Sequence, residues 1–172
     1  MLKKISFSIV GVLLFTLPSK AEEQGLFSTL SITPDVAVKA AQAALKSCRD
    51  GGYQVAVAVV DRGGNIQTMI RDQLAGPHTP DTAFRKAWTA VSFRTNTGDL
   101  ATSQKQGTIP QQTSHITNAL MVGGGVMFEA HGRVIGAIGV SGAPPGESDA
   151  NSIDGACAKA GIAAISDVLE GF

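Results

Sequence analysis

The chain has 172 residues, with 14 lysines and arginines against 14 aspartates and glutamates, and 44% of its residues are hydrophobic. This length fits one domain with a hydrophobic core of its own. The basic residues form no cluster, and the chain has one Trp and one Tyr, so it lacks the basic face that a nucleic-acid-binding protein needs and no nucleic acid is predicted as a partner.

The first 21 residues are typical of a signal peptide. Lys3 and Lys4 precede an apolar segment over residues 5–17, and the small residues that follow suit cleavage after Ala21. This apolar run is shorter than the roughly 18–20 residues that a membrane span requires. We therefore predict an exported protein that is periplasmic or secreted after cleavage near Ala21. A retained N-terminal anchor is the alternative interpretation.

Removal of residues 1–21 changes the charge of the chain. Three of the 14 basic residues lie in this segment, so 11 remain against 14 acidic residues and the net charge becomes about −3. The rest of the chain is predicted to consist of a loose leader over residues 22–32 and a single domain over residues 33–172.

The domain begins with a predicted helix and a predicted β-hairpin. A Thr-Pro-Asp sequence at 33–35 is a typical helix start, and the Gly-Gly pair at 51–52 ends the helix. Segment 54–60 is valine-rich on both faces, which indicates a central strand. The turn sequence at 61–65 then predicts a hairpin whose second strand covers residues 66–71.

A second capped helix is predicted after the hairpin. Thr79, which is followed by Pro and Asp, is expected to be its N-cap, and the helix runs to about Arg94 with Phe84 on its apolar side. A short helix over residues 97–105 and a polar loop over residues 106–115 are predicted next.

The following segments are short and glycine-rich. Residues 116–122 are compatible with either a strand or a helix. Residues 126–129 and 134–140 predict a hairpin that turns at His131. Gly139 lies inside the second of these strands, where glycine often marks a close backbone approach.

The stretch from 132 to 149 leads from this strand into the last helix. A Ser-Gly-Ala-Pro-Pro-Gly sequence at 141–146 must be a turn, and Glu147 and Asp149 belong to the acidic start of a helix predicted over residues 148–169. The corner at 141–149 is therefore either a ligand site built from backbone and a helix start, or a tight structural turn.

The order of these elements predicts an α+β domain. There is no strand–helix–strand alternation, so an antiparallel sheet with helices packed on it is favoured. Cys48 and Cys157 lie on the apolar faces of the first and last predicted helices. In an oxidising compartment they form either a disulfide or two buried free thiols, and the sequence pattern leaves both readings open.

Four motifs resemble those of the GlcG/HbpS-type haem-binding family, which is also called the haem-degrading domain. The resemblance covers roughly residues 33–170, and the last motif is the most specific. The motifs are Asp-Arg-Gly-Gly at 61–64, Thr-Ala-Phe-Arg-Lys-Ala-Trp-Thr-Ala at 82–90, Gly-Gly-Gly at 123–125, and Val-Ile-Gly-Ala-Ile-Gly-Val-Ser-Gly-Ala at 134–143.

The resemblance implies a profilin-like fold with a five-stranded antiparallel sheet and helices packed on it. It also implies a homo-oligomer, either a dimer or a larger ring, haem as the cofactor, and for an exported member a role in haem or iron sensing, storage or transport with a membrane sensor or transporter as partner. In that fold the first and last helices pack on the same sheet face, which favours contact between Cys48 and Cys157.

Haem binding requires an axial ligand, an apolar wall and cations for the propionates. His78 lies in a loop fixed by a helix start and is the first candidate ligand, and His115 is the second. His131 is predicted to be solvated in its turn. The other candidate residues lie on the second helix or at the 141–149 corner, and they are Phe84 for the apolar wall, Arg85 and Lys86 for the propionates, and Ser141 and Glu147 for the cofactor-facing corner.

The sequence carries no convincing catalytic constellation. Ser141 does not stand in a Gly-x-Ser-x-Gly elbow, and metalloprotease, Cys-x-x-Cys and phosphate-loop motifs are absent from the sequence. We therefore lean away from an enzyme. The alternatives are a small-molecule enzyme or accessory protein of a carbon-utilisation pathway with its site at the 141–149 corner, and an interaction protein whose assembly is its function.

Overall fold

The computed structural model describes residues 25–171, so the predicted signal peptide lies outside the described residues. Residues 25–32 of the predicted leader form no helix or strand. The helices are α1 (Pro34–Asp50), α2 (Thr79–Phe93), α3 (Thr97–Lys105), α4 (Ile153–Ala163) and α5 (Ser166–Glu170), with a 3-10 turn at Gln111–His115, and the strands are β1 (Ala56–Asp61), β2 (Ile66–Arg71), β3 (Gly125–Ala130) and β4 (Arg133–Ser141). Over the described residues, no helix is both long and apolar enough to span a membrane.

The sheet is antiparallel, and its order is β2-β1-β4-β3. The α+β class is confirmed, but the expected fifth strand is wrong because the sheet formed by the described residues has four strands. Segment 116–122 is neither strand nor helix. Its backbone bonds to side chains of α2 instead: Leu120 N donates to Thr89 Oγ1 at 2.8 Å, and Arg85 Nη2 donates to the carbonyl oxygen of Ala119 at 3.0 Å.

The sheet is covered by helices on both faces. Val57 and Val59 of β1 pack in the larger core cluster with α1 and α4, whereas Ala58 and Val60 belong to the clusters beneath α2. Every residue of β1 except the last is buried, as expected for a central strand flanked by two others. The expectation that the first and last long helices share one sheet face is confirmed.

Small residues let α2 lie directly on the sheet. A Cβ at Gly139 would clash with the carbonyl oxygen of Ala83 and lie 2.7 Å from the backbone nitrogen of Ala87. Both contacts are with the backbone of α2, which cannot turn aside as a flexible side chain can. The close approach predicted from glycine in this strand is therefore present.

Gly139→Ala should lower the free energy of unfolding by at least about 2 kcal/mol because it overpacks the junction between α2 and β4. Gly63→Ala is the matched control, since its Cβ would meet the flexible Asn65 amide at 3.0 Å in an exposed turn and should change stability by no more than about 0.5 kcal/mol. Urea unfolding measures both. Equal midpoints for the two variants would contradict the packing assigned to Gly139.

The predicted start of the last helix is wrong. Helix α4 begins at Ile153 with Ser152 as its N-cap, whose Oγ accepts from Gly155 N at 3.1 Å. Residues 142–151 are irregular because two prolines and Gly146 interrupt them, and Gly146 packs against the carbonyl oxygen of Asn151. The helix also ends early, at Ala163, and a separate short helix follows.

A disulfide joins the two helices that share a sheet face. Cys48 of α1 and Cys157 of α4 are bonded, with their Cα atoms 5.5 Å apart. Both residues are buried in the larger core cluster. The two helices pack closely enough to bring the cysteines together, since Gly161 of α4 lies against the carbonyl oxygen of Ala40 in α1.

Candidate functional site

A cleft of about 490 Å³ lies where the start of α2, the end of β4 and the loop before α4 meet. Residues 141–149, the corner singled out by sequence, form one wall of it. The opposite side comes from α2 and α3. The polar and charged residues that line it include His78, Lys86, Lys105, Ser141, Glu147 and Asp154.

His78 lies at the rim of this cleft and occupies the N-cap position of α2. The expected cap, Thr79, is instead the first helical residue, and its hydroxyl donates to the carbonyl oxygen of Gly76 at 2.8 Å. The His78 side chain is exposed and makes no hydrogen bond within residues 25–171. One edge of its ring packs on Gly76, where a Cβ would lie 2.7 Å from Cε1 and 2.9 Å from Nδ1. The Nε2 edge therefore points away from this backbone contact.

A buried ion pair forms the floor of the cleft. Lys86 Nζ lies 2.8 Å from Asp154 Oδ2, and the two side chains are only 3% and 8% exposed. Lys86 Nζ also donates to the carbonyl oxygen of Val140 at 3.1 Å, and Asp154 Oδ1 accepts from Ala143 N at 3.1 Å. The pair thus ties α2 and α4 to the end of β4 and the start of the loop.

The Gly-Gly-Gly motif leaves room for this ion pair. At Gly124, where φ is +126°, a Cβ would lie 2.9 Å from Lys86 Nζ and 2.8 Å from the Asp154 Cβ. At Gly123 it would meet Ser152 Oγ at 2.6 Å. Any larger residue at either position would displace the ion pair or the cap of α4.

The outer wall of the cleft carries further charge. Glu147 is exposed in the loop, and Asp149 forms an ion pair with Lys105 of α3. Ser141 is 5% exposed at the end of β4 and pairs with Ala56 of β1 in the sheet.

Within residues 25–171, no group of three or more His, Cys, Asp or Glu side chains is arranged to hold a metal ion.

Four of the seven predicted cofactor residues therefore meet in the cleft, and three lie outside it. His115 is exposed at the end of the 3-10 turn, and Phe84 packs in the clusters between α2 and the sheet. Arg85 donates a hydrogen bond to the carbonyl oxygen of Ala119. Because successive helical residues are rotated by about 100°, the neighbours of Lys86 face other directions. His131 lies in its hairpin turn with φ at 51° and is exposed, as expected.

Sequence reasoning missed the role of Asp154 and of Lys105. Asp154 was not among the predicted site residues, yet it pairs with a lysine 68 positions earlier in the chain. Its one local signal was its place just after a Ser that suits an N-cap. Nothing in the spacing of the sequence indicates a partner at that distance.

Comparison with known proteins gives a family match over most of the described chain. A family model described as haem degrading protein HbpS-like matches residues 32–163. An uncharacterised 15.0 kDa protein from the dhaT-dhaS intergenic region of Citrobacter freundii is 33% identical over 114 residues, which cover 65% of this chain and 80% of that protein.

Solved structures agree with this match. A double mutant of HbpS from Streptomyces reticuli is 37% identical, with a TM-score of 0.73 over 86% of this chain and 96% of the mutant chain. A complex of PduOC with haem is 26% identical, with a TM-score of 0.68 over 79% of this chain and 96% of that chain.

Proposed function

Since the chain belongs to the HbpS-like family of haem-degrading proteins, we propose that it binds haem in the cleft beside α2, with His78 as the axial ligand. The observation that carries the ligand assignment is that His78 alone among the three histidines of the sequence lines this cleft. Its imidazole is also free of hydrogen bonds within residues 25–171. Imidazole is the most frequent axial ligand that proteins provide to haem iron.

The volume and the lining residues of the cleft suit haem. Its volume of about 490 Å³ falls in the range of about 300–1,000 Å³ that is usual for cofactor sites. Val122, Ala143, Pro144 and Pro145 supply apolar surface, and Lys105 at the mouth supplies a cation for a propionate. Haem would bring a redox-active iron to this site, whereas the protein would orient it and shield one of its faces from water.

Each cleft residue has a distinct task in this proposal. His78 would hold the iron through Nε2, because Nδ1 is the ring nitrogen that lies beside Gly76. The Lys86–Asp154 pair fixes the walls rather than the ligand, since both charges are already paired and hydrogen-bonded. Lys105, whose side chain is 75% exposed, would release Asp149 and pair with a propionate, because an ion pair at the surface contributes little stability.

We further propose that the protein acts after export, periplasmic or secreted, as a homo-oligomer in haem or iron sensing, storage or transport. Export is supported by the signal-peptide pattern of residues 1–21. A disulfide between α1 and α4 suits an oxidising compartment. The family match favours haem over the small-molecule enzyme considered as an alternative.

Haemin titration of the three histidine variants tests the ligand assignment. His78→Ala should abolish or shift the Soret band that the parent protein produces with haemin, because an axial ligand is lost. His115→Ala and His131→Ala are matched controls, since each removes an exposed imidazole outside the cleft, and both should keep the parent spectrum.

Two outcomes would contradict the proposal. A parent spectrum identical to that of free haemin at excess protein would exclude haem binding. A Soret band that is unchanged in His78→Ala would remove His78 as the axial ligand, and its loss in either control variant would move the ligand to another histidine outside this cleft.

A further inference from the structure

A second groove lies at the opposite end of α2 from the haem cleft. Arg94 is the C-cap residue of α2, and Arg133 begins β4, whereas the cleft lies at the start of α2 and the end of β4. Helix α2 has 15 residues and is therefore about 20 Å long, at 1.5 Å per residue. The groove has a volume of about 300 Å³ and is a separate site.

Three arginines from three different elements line this groove. Arg62 comes from the turn between β1 and β2, Arg94 from the end of α2, and Arg133 from the start of β4. No ion pair between residues 25 and 171 includes any of them. Glu129 is the one acidic residue among those that line the groove.

This local charge is unusual for the molecule. The chain as a whole has equal numbers of basic and acidic residues, and the arginine Arg49 and the lysines Lys39 and Lys46 of α1 do form ion pairs with carboxylates. Three arginines that line one concave surface, with a single glutamate among the lining residues, create a positive potential that attracts anions.

Two of the arginines also extend the positive surface. Arg62 and Arg133 line an adjoining groove of about 230 Å³ beneath leader residues 27–30. Arg94 is held with φ at 51°, in the left-handed region that few residues other than glycine adopt. The chain thus places an arginine at a backbone position that glycine would fill with less strain.

We infer that this arginine groove binds a small anion with two or three negative charges, carried by carboxylate or phosphate groups. Guanidinium groups are always charged, and their planar fork binds both groups with paired hydrogen bonds. Three arginines match a ligand with several anionic groups better than a single chloride. The site is independent of haem binding.

Calorimetric titration at low salt with citrate and with pyrophosphate tests this inference. We expect one site per chain for at least one of the two anions, and the comparison shows whether carboxylate or phosphate is preferred. Arg62→Gln, Arg94→Gln and Arg133→Gln should each weaken binding about tenfold, since each removes charge-assisted hydrogen bonds. Glu129→Gln should strengthen it, because the opposing carboxylate is removed.

Charge-matched control variants distinguish anion binding at the arginine groove from a general effect of the net charge of the protein. Lys46→Gln and Asp167→Asn change exposed charges outside the groove by the same amounts and should leave the affinity within about twofold. Absence of binding by both anions would overturn the inference, and so would an equal loss in Lys46→Gln and the arginine variants. His78→Ala should bind the anion normally, and the triple arginine variant should keep the haemin spectrum, so the two proposals fail separately.

Discussion

Asp154→Ala should lower the free energy of unfolding by about 3–5 kcal/mol. The substitution leaves Lys86, which is 3% exposed, as a buried charge without its carboxylate, and removal of one partner of a buried pair costs about this much. It also leaves Ala143 N without its acceptor. Urea unfolding followed by circular dichroism measures the loss.

Two further variants show whether the buried charge is the cause. Lys86→Met combined with Asp154→Asn removes the charge and keeps an acceptor for Ala143 N, so it should be more stable than Asp154→Ala. Lys46→Ala breaks an exposed pair with Asp50 and should cost at most about 1 kcal/mol. If Asp154→Ala were as stable as Lys46→Ala, the ion pair would not support the cleft.

Loss of the disulfide should have an effect of similar size. Cys48 and Cys157 are separated by 109 positions, and a loop of about 100 residues closed by a disulfide contributes about 4.7 kcal/mol in the chain-entropy account. Cys48→Ala combined with Cys157→Ala should therefore unfold at a clearly lower urea concentration than the oxidised parent. The parent unfolded in the presence of reductant should approach the variant.

The reductant provides the internal control. It should not change the midpoint of the double alanine variant, which has no cysteine left. A parent protein whose midpoint is the same with and without reductant, and equal to that of the variant, would show that the two sulfurs are not bonded in solution.

Local patterns predicted the parts of the fold that depend on neighbouring residues. The valine-rich segment became central strand β1, both hairpin turns were placed correctly, and glycine in β4 marks the contact with α2. The family resemblance supplied the pairing of α1 with α4 on one sheet face. The fifth strand came from the same resemblance and is absent among the described residues, because segment 116–122 bonds to α2 instead.

The candidate site was also predicted only in part, because local patterns do not show contacts between residues that are distant in the sequence. His78 was identified because a loop fixed by a capped helix is a local feature, and Ser141 and Glu147 because their turn is local. Asp154 depends on Lys86, which is brought to it by the packing of α2 and α4 around the sheet. The start of α4 was misplaced because Ser148 also accepts from a backbone nitrogen three residues later, that of Asn151, although the helix begins only after Ser152.

A crystal structure of the protein with bound haemin tests the central claim most directly. We expect haem in the cleft between α2 and residues 141–149, with its iron bonded to Nε2 of His78 and a propionate near Lys105. Iron bonded to a residue outside this cleft, or haem seated in the arginine groove at the other end of α2, would contradict it.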